Sequence, residues 1–172
     1  YWMSDNIVIG HKSATNPQAA DFDGNVLIGN NVVEAPGAAG SYYMTIVGTG
    51  AGQDINHADA TGTTLFGGLA GKDITDGRQN TAIGYQALDA LTTGNFNTAV
   101  GYQALSAQQS DRNGATAVGA QALYQNAPAA TTDYSAAFGQ EAGSNQTSGY
   151  QNTFLGGQTS GNGADAINQI VI

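Results

Sequence analysis

Apolar and polar residues in this chain come in short, evenly spaced bursts rather than along helical faces. The clearest stretch is residues 80 to 105, NTAIGYQALDALTTGNFNTAVGYQAL, in which one nine-letter phrase is said almost twice. Aligned on the glycine of NTAIG, the phrase recurs at Gly10, Gly29, Gly48, Gly67, Gly84, Gly101, Gly119, Gly139 and Gly156. The steps are 19, 19, 19, 17, 17, 18, 20 and 17 residues, and a tenth copy begins at Asn168. The position before the glycine, column −1, holds Ile9, Ile28, Val47, Phe66, Ile83, Val100, Val118, Phe138 and Leu155. Column −2 holds Val8, Leu27, Ile46, Leu65, Ala82, Ala99, Ala117, Ala137 and Phe154, and column −3 is mainly Thr. β-Branched residues at column −3 favour a pleated strand. Side chains alternate across a strand, so columns −3 and −1 share one face and column −2 takes the other. Both faces are apolar, and a strand of that kind must be covered on both sides.

After the glycine, column +3 stays mostly small (Ser13, Val32, Ala51, Ala70, Ala87, Ala104, Ala122, Ala142, Thr159), which suits a chain that turns sharply and packs back on itself. The glycine marks a bend or a close backbone approach. Gly- and Asn-rich stretches such as TTGNFN separate the phrases as loops do. A unit this short cannot bury its apolar side alone, so the repeat predicts stacking. The expected fold is all-β, a parallel β-roll or β-solenoid of about ten short coils. It fills residues 1–172 as a single repeat domain, read as an excerpt of a longer fibre. One apolar face lines the hollow of the coil. About 18 residues per turn leaves too little chain for a thick second layer, so a neighbouring subunit is expected to cover the other.

Composition narrows the partners. The 172 residues include 25 Gly and no Cys, with 13 acidic against 4 basic residues and a formal net charge of −9. Nucleic acid and anionic lipid both demand cationic surfaces, so neither is an expected partner. No apolar run approaches the roughly 18 residues of a membrane-spanning helix, and membrane insertion of this segment is not expected.

NTAIGYQAL at Asn80 and NTAVGYQAL at Asn97 resemble the repeats of phage and injection-system tail fibres, which often precede an intramolecular chaperone domain. They are also similar to the repeats in the heads of YadA-like trimeric adhesins. The resemblance covers nearly the whole chain, most strongly from Gly67 to Gly156. It implies a left-handed parallel β-roll assembled as a homotrimer around a common axis, with the doubly apolar strands forming the contact. These repeats are longer than those of adhesin heads, and no neck, stalk, anchor or chaperone segment accompanies them. The function implied is a non-enzymatic structural and adhesive fibre segment, located on the virion tail, on the cell surface or otherwise extracellular. It would attach to a host-surface glycan or protein receptor through loops or a distal tip.

Candidate contact residues fall into two groups. Tyr85 and Tyr102 occupy column +1 of consecutive repeats, and Gln86, Gln103, Gln121 and Gln158 occupy column +2. Such ladders suit sugar stacking, but in-register repetition is also what stacking itself selects. The more divergent segments, residues 52–62 with Asp54, His57 and Asp59 and residues 124–134 with Tyr124 and Tyr134, are loops of the kind that carry recognition. The Asp54, His57 and Asp59 group matches no known metal loop, so neither a metal nor a cofactor is expected. Twelve of the thirteen acids sit outside the strand and turn columns, Glu141 being the exception, and no Ser, His, Asp arrangement is legible. No catalytic residue is assigned. Two other readings are kept open: an ice-binding β-solenoid ordering water on its Thr column, and a glycan depolymerase of the tail-fibre kind. For the first, the Thr column shares its face with the large column −1, which predicts burial.

Overall fold

The computed structural model describes residues 5–15, 22–34, 41–56, 60–106, 112–124, 134–144, 149–160, 167 and 169–172. Among them there is no helix. The strands are β1 (Ile7–Ile9), β2 (Phe22–Asp23), β3 (Val26–Ile28), β4 (Ser41–Tyr42), β5 (Thr45–Val47), β6 (Thr64–Phe66), β7 (Thr81–Ile83), β8 (Thr98–Val100), β9 (Thr116–Val118), β10 (Ala136–Phe138), β11 (Thr153–Leu155) and β12 (Ile170–Val171). Ten of them form one parallel sheet in the order β1-β3-β5-β6-β7-β8-β9-β10-β11-β12, while β2 and β4 pair separately. The protein is a β-solenoid, as the repeat predicts.

Register follows the glycine alignment. Ile83 lies opposite Val100, and Val100 opposite Val118. The ladder continues past the strands: the amides of Gly84, Gly101, Gly119 and Gly139 each donate to the column −1 carbonyl of the preceding rung at 2.8 Å. Each repeat glycine from Gly10 to Gly139 has φ between +133° and +146°. A Cβ added at any of the glycines from Gly10 to Gly119 would strike the carbonyl of the next repeat glycine. Here glycine is required twice, by backbone angle and by space. Three residues on, the chain closes a turn in which the amide of column +3 donates to the glycine carbonyl, as from Ala104 to Gly101 at 3.4 Å. The third residue of that turn is left-handed in every repeat, including Gln86 (φ 55°), Gln103 (φ 51°) and Gln121 (φ 56°), a type II signature.

Column −2 faces the hollow. Leu27, Ile46, Leu65, Ala82, Ala99, Ala117, Ala137 and Phe154 are completely buried, as are Ala51, Ala70, Ala87, Ala104, Ala122 and Ala142 of column +3. Column +4 compensates for volume. Where column −2 is Ala82, Ala99 or Ala117, column +4 is Leu88, Leu105 or Leu123, all buried. Where column −2 is Ile46 or Leu65, column +4 is Gly52 or Gly71, and an added Cβ there would sit 2.8 Å from Ile55 Cδ1 or 2.7 Å from Ile74 Cδ1. Each large aliphatic or aromatic side chain so buried is worth about 1.5–3 kcal/mol relative to exposure.

Column −4 adds a polar seam inside this core. Asn25, Asn80, Asn97 and Asn152 are fully buried. Asn80 Oδ1 accepts from the amide of Asn97 (2.9 Å) and from its Nδ2 (3.1 Å). Asn97 Oδ1 accepts from the amide of Ala115 at 3.0 Å, and Asn97 Nδ2 donates to the carbonyl of Arg112 at 2.8 Å. Asn80 Nδ2 does the same for Gly94 at 2.8 Å. Asn is replaced at four rungs: Thr63 donates to the Gly77 carbonyl (3.3 Å) and Ser135 Oγ accepts from the Asn152 amide (3.2 Å), whereas Met44 and Ala115 interrupt the seam with buried apolar side chains. The seam ties the strand to the returning limb of the coil and satisfies backbone groups that would otherwise be orphaned in the interior.

Candidate functional site

The outward surface of the sheet is built from columns −3 and −1, as strand alternation requires. Column −1 forms an in-register row whose exposed members include Ile9, Phe66, Ile83, Phe138 and Leu155, with Phe66 57% exposed. Ile28, Val47, Val100 and Val118 fill the gaps, half-buried. Beside it runs column −3, where Thr45, Thr64, Thr81, Thr98 and Thr116 pair rung to rung. Thr45 is exposed and the others are half-buried, so within one chain the Thr row is a surface feature rather than the buried one that its shared face suggests.

At the next corner, Tyr85 and Tyr102 stack with ring centroids 6.0 Å apart and planes 9° from parallel, both about half exposed. Gln86, Gln103 and Gln121 form a continuous amide ladder, Gln103 Nε2 donating to Gln86 Oε1 at 3.1 Å and Gln121 Nε2 to Gln103 Oε1 at 3.2 Å. Gln158 makes a separate pair, its Nε2 donating to Glu141 Oε2 at 3.3 Å. The amide protons that hold the ladder are thereby engaged with the ladder itself.

The loop candidates are scattered. Asp54 is exposed and lines an open cleft of about 340 Å³ with Glu34, Gln53, Asn56 and Thr75. His57 and Asp59 lie outside the described residues, as does most of the 124–134 segment between Tyr124 and Tyr134. Tyr124 is half-buried, whereas Tyr134 is exposed and lies over Gly114, where an added Cβ would come within 2.6 Å of its ring. Among the described residues no group of three or more His, Cys, Asp or Glu is placed to hold a metal.

Two groupings escaped sequence reasoning. Lys72 Nζ pairs with Asp73 Oδ1 at 2.7 Å, and that hydrogen bond raises the Lys72 pKa. On the adjoining rung, burial first and the Asp73 charge second push Asp89 up to about 6. The second grouping is a cleft of about 200 Å³ lined by Asp76, Arg78, Thr93, Asn95 and Phe96. Its residues stand in columns −8, −6 and −5, before the phrase that the repeat makes visible, and the only sequence signal is the pair DGRQN and TGNFN ahead of two consecutive strands.

No protein-family model, curated protein or solved structure matches this chain.

Proposed function

We propose that the chain is a non-enzymatic segment of an attachment fibre, a left-handed β-roll that works as a homotrimer on a virion tail or cell surface. The observation that supports this reading is the row of exposed apolar column −1 side chains along the ten-stranded sheet. Soluble monomers rarely expose contiguous apolar patches beyond a few hundred Å². Three copies sharing this face around an axis would give the doubly apolar strands their second cover and make one stiff rod. Such a rod holds weak contacts in triplicate, and linked contacts raise avidity without any strong single site. Sedimentation equilibrium tests the reading: a mass of three chains supports it, and a folded, soluble monomer overturns it.

A second reading has one observation in its favour. The in-register Thr row on the outer face is the arrangement an ice-binding surface uses, although Phe66 and Phe138 protrude beside it. Thermal hysteresis by the purified protein would favour this reading over the fibre.

A further inference from the structure

We infer that the cleft between Asp76, Arg78, Thr93, Asn95 and Phe96 is a binding site for a single sugar ring, one per chain. Phe96 supplies the apolar side of the cleft. It is 63% exposed and sits at φ 61°, the left-handed turn angle that Tyr43 (φ 58°), Gln79 (φ 52°) and Gln151 (φ 59°) share in the same column. The same column holds glycine at Gly24, Gly62 and Gly114, each left-handed. Two other rungs place an aromatic there for a visible structural reason: Tyr43 lies over Gly24 and Tyr134 over Gly114, their rings within 3.1 Å and 2.6 Å of where a Cβ would stand. Phe96 follows Gln79 in its column, so it covers no glycine. Its ring is a wetted apolar surface beside a polar cleft, with no glycine beneath it to give it a packing role.

The backbone that carries the ring is held firmly. The Phe96 amide donates to the Arg78 carbonyl at 3.0 Å, and the Arg78 amide donates to Asn95 Oδ1 at 2.8 Å. Asn95 is anchored in turn, its amide and its Nδ2 both donating to Asn113 Oδ1, at 2.8 and 3.1 Å. Asn95 is thus a positioning residue, and Phe96, Asp76, Arg78 and Thr93 complete the lining of the opening. An apolar platform flanked by planar acceptor and donor groups matches a pyranose, which offers a C–H face to the ring and vicinal hydroxyls to the rim. A polyanion is a poorer fit, given the carboxylate in the cleft and the net charge of −9. The cleft uses columns −8, −6 and −5, whereas the proposed trimer contact uses column −1, so the two occupants draw on different residues. The biological use of the site, attachment to surface glycan, rests on the fibre reading; the site itself does not.

Saturation-transfer NMR on the whole chain tests the inference, with glucose, galactose, N-acetylglucosamine and glucuronate as separate probes. Transfer to the ring protons of at least one sugar is expected, with Phe96→Ala weakening its binding about tenfold and Tyr43→Ala, in the same column, leaving it unchanged. Because Phe96 is exposed, the variant should melt as the parent does, which separates lost binding from lost fold. Absence of transfer to all four sugars, or transfer indifferent to Phe96→Ala, overturns the site. A monomer that still binds sugar through Phe96 would overturn the trimer and leave this inference standing.

Discussion

At the scale of single residues, the repeat glycine carries the greatest constraint. At Gly101 the backbone angle is φ 137°, and a Cβ would meet the carbonyl oxygen of Gly119 on the next rung. That oxygen accepts the Ala122 amide at 3.2 Å, so it cannot move without opening the turn that follows the strand. Gly101→Ala should therefore cost about 4 kcal/mol or more, read as a collapse of the cooperative melt in far-UV circular dichroism. Gly68 is the control, because its Cβ would only touch the Tyr85 ring at 3.4 Å and its φ is ordinary. Asn97 has a subtler role. Asn97→Ala would leave the Ala115 amide and the Arg112 carbonyl without their side-chain partner in a dry interior. The expected loss is about 3 kcal/mol in denaturant unfolding. The column −1 and −2 faces and the need for glycine were legible at this scale, since hydrophobicity and the lack of a Cβ belong to the residue itself. The left-handed angles at Gln86, Gln103 and Phe96 were not, because nothing in a Gln or Phe announces a positive φ.

At the scale of the coil, rungs are coupled through volume and charge. From Ile46 to Ala117 large and small side chains trade places between columns −2 and +4, and at Ala137 with Gly143 the space is taken by Leu123 and Phe154 of the rungs on either side. Charge is less well balanced. Asp73 and Asp89 sit on neighbouring rungs, the Asp73 amide donating to the Asp89 carbonyl at 2.9 Å, and Lys72 forms its ion pair with Asp73. With its pKa raised to about 6, folded Asp89 holds a proton that the unfolded chain releases near 4. Stability from this group is complete below about pH 4 and is lost as pH rises through 6. Asp89→Asn should raise stability at pH 7 by on the order of 1 kcal/mol, after allowance for solvent screening at this partly exposed group, with no difference near pH 4. Thermal melts of both proteins across that range measure it. A variant that gains nothing at pH 7 would remove Asp89 as a source of strain. This corner was invisible in the sequence because Lys72-Asp73 and Asp89 come together only when one coil is laid on the next.

For the whole molecule, the deciding feature is the outward apolar row. Ile83 is 41% exposed in the single chain, so Ile83→Glu should disturb one isolated solenoid little. In the proposed trimer the same change would bring three carboxylates together in an apolar interface, a costly burial of charge. The expected result in sedimentation is a shift from trimer toward monomer. A trimer of undiminished stability would move the contact to another face.

The sequence by itself determined the period, the strand positions, the inward and outward columns and the β-solenoid class. Those properties follow from local alternation and from a glycine that recurs at nearly constant spacing, which permits only one register between rungs. Tertiary structure alone decided how the buried asparagines close the seam, which acids crowd together and where an open cleft forms beside Phe96. Each of these depends on residues some 14 to 18 positions apart meeting side by side, as in the hydrogen bonds from Asn80 to Gly94 and from Asn95 to Asn113. The path of the returning limb sets such meetings, and the limb lacks the alternation that makes the strands readable.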